Sequence, residues 1–134
     1  MIRIIVPGAP VGKGRPRFVR ASGRTYTPAK TANYEAVLAA VGIEAMDGRA
    51  LFGGPLQIRL TAFMPIPRSW PRRNQSLALN GAIRPGKPDL DNILKTMDAL
   101  NNIVWRDDAQ IAEARLSKLY DLQPRLEIEV EEIA

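Results

Sequence analysis

The chain is 134 residues long and 46% hydrophobic, which suits one compact domain over residues 1–134. It contains no cysteine and no histidine, which excludes disulfides, iron–sulfur clusters, Cys/His zinc sites, thiol nucleophiles and any mechanism that needs an imidazole. Its 19 Lys and Arg outweigh 14 Asp and Glu, but the net +5 hides a division: residues 1–88 carry 14 basic and 3 acidic side chains, and residues 89–134 carry 5 and 11. The first part suits an anionic partner such as nucleic acid, and the second concentrates carboxylates. Apolar stretches are broken by Arg, Pro or Gly well before the roughly 18 residues of a membrane span, and MIRIIVPGAP lacks the pattern of a signal peptide. A soluble, cytoplasmic protein without membrane association is expected.

Ile2 to Val6 is β-branched and bounded by Pro7-Gly8, the mark of a short buried strand. Residues 7–24 are punctuated by Pro7, Gly8, Pro10, Gly12, Gly14 and Pro16 and carry Lys13, Arg15, Arg17, Arg20 and Arg24, a basic loop that closes in a turn or short strand at Thr25–Pro28. Apolar residues among good helix formers predict a helix from Thr31 to Met46, stopped by Gly48. Leu56, Ile58, Leu60, Ala62 and Met64 alternate with other residues in the period of a strand, ending at Pro65. Residues 65–88 then hold five prolines and five basic residues with no acidic one, and read as a second long basic loop carrying Arg68, Trp70, Arg72, Arg73 and Lys87.

Pro88 opens a regular helix in which Leu90, Ile93, Leu94, Met97 and Leu100 form an apolar face, with Asp91, Lys95, Asp98 and Asn102 opposite. Gln110–Tyr120 and Arg125–Ile133 predict two strands around an Asp121–Pro124 turn. The expected fold is α/β: a small mixed sheet of about four strands covered by two main helices, in the order β-α-β-α-β-β, with two long basic loops.

The carboxylates carry the chemistry. Asp89 and Asp91 stand at a helix start with Lys95 one turn on, and Asp107-Asp108 follow after Trp105. Each Asp alone fits an ordinary role: Asp89 a cap, Asp91 a partner of Lys95, Asp107-Asp108 a turn. Together they crowd like charges that a divalent cation would relieve, and without His or Cys this is the one plausible metal site in the sequence, suited to Mg²⁺. A helical Asp89 would point away from Asp91, so sharing a cation requires it at or before the cap, as Pro88 favours. The two basic loops can follow a phosphate backbone, Trp70 either stacking on bases or packing on the body. Gly8–Gly14 is one residue short of a phosphate-binding P-loop and runs into Pro16, so no nucleotide cofactor is expected. Val104 and Trp105 fit the core better than an interface.

Lys87-Pro-Asp-Leu-Asp-Asn-Ile-Leu-Lys95, Met97-Asp-Ala-Leu-Asn-Asn-Ile-Val-Trp105 and Asp107-Asp-Ala-Gln-Ile111 closely resemble the signature of the RusA family of Holliday junction resolvases, supported by Pro7-Gly-Ala-Pro, Lys13-Gly-Arg-Pro-Arg-Phe18 and Pro67-Arg-Ser-Trp70. The resemblance implies a homodimeric, Mg²⁺-dependent endonuclease, with Mn²⁺ a possible substitute, that nicks four-way DNA junctions symmetrically and is often encoded by phages and prophages. It places Asp89, Asp91 and Asp108 as metal-holding catalytic residues, Lys95 against the transition-state phosphate, and Asp98 and Asp107 in support. Lys13, Arg15, Arg17, Arg20, Arg68, Trp70, Arg72, Arg73 and Lys87 are the expected DNA contacts. The sequence departs from the family at Asn101-Asn102, where a Gly is common. A non-catalytic DNA-binding protein, or a nuclease cutting flaps or forks with the same Asp set, is the alternative.

Overall fold

A computed structural model describes residues 1–133. Four strands, β1 (Ile2–Pro7), β4 (Leu56–Pro65), β5 (Ile111–Asp121) and β6 (Arg125–Glu132), form one mixed sheet in the order β1-β6-β4-β5. β6 runs antiparallel to both β1 and β4, while β5 pairs parallel to β4 at the edge. The expected mixed α/β sheet is therefore present. Its cause is visible in the alternation: Ile2, Ile4 and Val6, Leu56 to Met64 at every second position, and Leu126, Ile128 and Val130 all bury one face. The other face carries charge in register, Arg3 beside Glu129 beside Arg59 beside Arg115.

The first basic loop is more regular than expected. Arg17–Val19 and Arg24–Tyr26 pair as a two-stranded hairpin, β2 and β3, whose residues are all exposed. Helix α1 (Ala29–Met46) follows, starting two residues earlier than the sequence suggests, and buries Tyr34, Leu38 and Met46 against the sheet. Gly42 lets α1 approach closely: a Cβ there would lie 2.6 Å from Leu100 Cδ2.

Two expectations are corrected. Residues 65–88 are not wholly irregular, because α2 (Arg72–Leu79) forms after Pro71. Proline at a helix start is favourable, but this helix is polar and buries a single residue, Ala78, so it shows no apolar period. The long helix after Pro88 is also not continuous. A five-residue α3 (Leu90–Leu94) tightens into a 3₁₀ segment over Lys95–Leu100. There the buried Thr96 donates its hydroxyl to the Ile93 carbonyl at 2.6 Å, a local bond that competes with regular α-helical winding. Among the described residues the short α2 and α3 thus accompany α1, within the expected small α/β fold. The apolar spacing still does its work, since Ile93, Met97 and Leu100 are buried.

Val104 and Trp105 are both fully buried, so they belong to the core. Trp105 Nε1 donates to Asn101 Oδ1 at 2.8 Å, and the backbone nitrogen of Phe52 donates to the Val104 carbonyl at 2.9 Å. These bonds seal the turn that carries the chain from the 3₁₀ segment to Asp107. No helix among the described residues is long and apolar enough to cross a membrane.

Candidate active site and nucleic-acid cleft

Asp89 is the N-cap residue of α3, with extended backbone (φ −64°, ψ 146°). Its carbonyl accepts from the nitrogens of Asn92 and Ile93, but its carboxylate makes no capping bond. The acid is therefore free for another task. Asp91, one residue into the helix, is exposed and lies 3.6 Å from Lys95 Nζ. An exposed pair at that spacing contributes little stability, so both groups are available to a ligand.

Lys13 is held inward. Its ammonium pairs with Asp98 and lies 3.6 Å from Glu35 on α1. Its backbone nitrogen donates to the Asn92 carbonyl at 2.8 Å, and the nitrogen of Gly14 donates to Thr31 Oγ1 at 2.9 Å. Gly12 packs so closely that a Cβ would sit 2.8 Å from Pro88 Cβ and 3.2 Å from Asn92 Cβ. Basic loop and Asp-bearing helix start are thus one packed unit, with the Lys13 ammonium committed to two carboxylates.

The electrostatics follow from this packing. Burial works to lower the Lys13 pKa, but Asp98 and Glu35 outweigh it and the net shift is upward. Burial, reinforced by Asp98, pushes the Glu35 carboxyl up to about 7 against the pull of Lys13. Burial also disfavours the Asp98 carboxylate, yet Glu35 and Lys13 hold it below the usual range. Asp98 Oδ1 is buried without a hydrogen-bond partner in the protein. Burial, then the neighbouring Asp107 and Asp98, raise Asp108.

A pH prediction follows for Glu35. Its folded-state pKa is raised above the ordinary 4.5 to about 7, so its contribution favours folding at low pH and is lost as pH rises through that range. Glu35→Gln is expected to gain thermal stability relative to the parent between about pH 5 and 8, and to show little difference near pH 4. Paired thermal melts across that range check it; parallel curves would contradict the assignment.

Asp107 builds the turn before β5. Its carboxylate accepts from the Ala109 nitrogen at 2.9 Å, and Gln110 Oε1 closes the reciprocal bond from the Asp107 nitrogen at 3.1 Å. Gln110 Nε2 also donates to the carbonyls of Phe52 and Gly54, fixing the segment that presents Asp108.

Beside Asp89 lies an open cleft of about 890 Å³, lined by Lys13, Arg15, Arg17, Lys30, Lys87 and Asp89 among others. It brings together four of the sequence-predicted cationic residues and one carboxylate. Asp91, Lys95 and Asp108 are outside its lining, as are Arg20, at the exposed hairpin turn, and Arg68, Arg72 and Arg73, exposed around the start of α2. Trp70 is half-buried and meets Tyr120 edge to face, with ring centroids 5.3 Å apart. Among the described residues no three carboxylates converge closely enough to hold an ion by themselves. Sequence reasoning missed Glu35 and Lys30, which sit on α1 amid ordinary helix-forming residues and reach the site only through the fold.

Fold and cleft together define a small α/β protein with a cation-lined groove that has the Asp89 carboxylate at its edge. A family model described as "Endodeoxyribonuclease RusA" matches residues 7–131. The chain belongs to this family of endodeoxyribonucleases. It is also 32% identical over 139 residues to the "Uncharacterized protein YqaN" of Bacillus subtilis (strain 168), a match covering 99% of this chain and 97% of the relative.

Proposed function

We propose that this protein is a Mg²⁺-dependent, structure-selective endodeoxyribonuclease that resolves four-way DNA junctions by paired symmetric nicks in recombination and repair. The observation that carries the reading is the uncapped Asp89 carboxylate at the edge of the Lys- and Arg-lined cleft. The phosphate backbone of one strand lies along Arg15, Arg17 and Lys87, with Arg20 and the bases of α2 extending the contact. Such contacts position the duplex without reading its sequence, as recognition of branch shape requires.

The donor set fits Mg²⁺, which takes oxygen ligands and is usually held by one or two carboxylates together with waters and substrate phosphate rather than by a complete protein cage. Asp89 and Asp91 would hold it, with Asp108 brought in alongside substrate. When bound, the cation supplies an activated water and offsets charge on the phosphate. Lys95, exposed and loosely paired, turns its ammonium to the phosphate as charge grows in the transition state. Asp98 supports the site by tethering Lys13. A homodimer presents two equal sites to the two equivalent strands of a junction.

The test is a Mg²⁺ titration on a labelled synthetic four-way junction beside a linear duplex and a flap of equal length. Symmetric nicks on the junction alone, lost in EDTA and supported in part by Mn²⁺, are expected. Binding without nicks in any divalent metal would overturn the nuclease reading, and equal cutting of every substrate would overturn the junction selectivity.

A further inference from the structure

The segment that delivers Asp89 is held from its far side by a residue with no place in the site described so far. Lys118 lies in β5 opposite Ala62, so it projects from the side of the sheet that faces the helices. It is half-buried and forms no ion pair among the described residues. Its ammonium donates instead to two backbone carbonyls, those of Gly86 and of Pro88, the latter at 3.1 Å. The Lys118 carbonyl in turn accepts from Arg84 Nη1 at 3.0 Å, which fastens the same loop a second time.

The Pro88 carbonyl belongs to the peptide unit whose nitrogen is that of Asp89. A cation on that oxygen fixes the plane of this peptide, and with it the direction in which the Asp89 side chain leaves the chain. Since the Asp89 carboxylate has no capping bond of its own, its orientation rests on this backbone. We propose that Lys118 is a positioning residue for the reaction: it holds the Gly86–Asp89 backbone so that the Asp89 carboxylate faces the cleft. The inference rests on the nuclease reading above. A lysine used this way satisfies two backbone carbonyls and adds positive charge to the segment that carries Asp89 without entering the cleft, whose lining does not include it.

The test compares Lys118→Met, which keeps length and removes the donors, with Lys118→Arg, which keeps donors and charge. Two readouts are taken: amide hydrogen exchange over Asp89–Ile93 in protein without metal or DNA, and single-turnover junction nicking across a Mg²⁺ titration, alongside junction affinity in EDTA. For Lys118→Met, exchange over these amides is expected to accelerate about tenfold and nicking at saturating Mg²⁺ to fall about tenfold or more, with junction affinity within about twofold of the parent. The Mg²⁺ midpoint rises, and Lys118→Arg recovers most of the loss. Unchanged exchange in Lys118→Met overturns the tether, and unchanged nicking overturns its role in the reaction. Loss of junction affinity in step with nicking, without rescue by Arg, shows a merely structural lysine and also overturns the proposal. If Lys118→Met does not fold, Lys118→Gln takes its place with the same outcomes. If the parent protein itself does not nick, the nuclease reading fails, while exchange still judges the tether.

Discussion

Replacing Asp89 or Asp91 by Asn is expected to abolish nicking, by about 1,000-fold or more, while junction binding stays intact or tightens. Asn keeps the shape of the side chain but loses the charge that attracts a cation. Neither substitution removes a structural bond from α3, because the Asp89 carboxylate caps nothing and the Asp91–Lys95 pair is exposed. Removing negative charge beside a phosphate cannot weaken the grip of the neighbouring Arg and Lys residues. Gel-shift affinity in EDTA and nicking in Mg²⁺, measured on the same preparations, check both halves. Binding lost together with cleavage would refute the role given to these acids. Asp107→Asn is the internal control: Asn accepts the same capping bond from Ala109, so this variant keeps its fold and most of its activity.

The largest expected effect on stability is at Trp105. Its side chain is fully buried and is the largest in the core, and its indole nitrogen bonds Asn101. Trp105→Ala should cost about 3–5 kcal/mol, set against a total of about 5–15 kcal/mol for an ordinary domain, and leaves Asn101 Oδ1 without its donor. Urea unfolding followed by circular dichroism checks this as a lowered midpoint with an unchanged slope. A variant that kept its midpoint and changed only its state of association would place Trp105 at an interface instead.

The parts of this fold legible in the sequence are those with strong, local patterns. β4 and β6 announce themselves through alternation because each buries one face, and α1 through its long run of helix formers. α2 was hidden because Ala78 alone faces the core, leaving no period to read. The break after α3 was hidden because it depends on the Thr96 hydroxyl finding the Ile93 carbonyl. That break matters for the site. Asp98, on the 3₁₀ segment, pairs with Lys13, while Lys95 pairs with Asp91, so the polar residues that the spacing placed on one helix face divide between two partners. The Asp-rich segment stands out in the sequence as a candidate site because its residues are neighbours in the chain. Lys13 and Asp98 are 85 residues apart, and no spacing rule reaches across that distance. Glu35 and Lys118 stayed invisible for the same reason.

The inward tether of Lys13 divides the first basic loop by its sensitivity to ionic strength. Arg15 and Arg17 are exposed, so their attraction for a polyanion fades as added salt shortens the Debye length below about 8 Å. Lys13 keeps only a quarter of its side chain exposed, and its contact with Asp98 is direct, so it feels the same salt far less. If the groove holds a DNA strand as proposed, rising salt is expected to loosen that hold before it loosens the loop, leaving the shape of the groove in place.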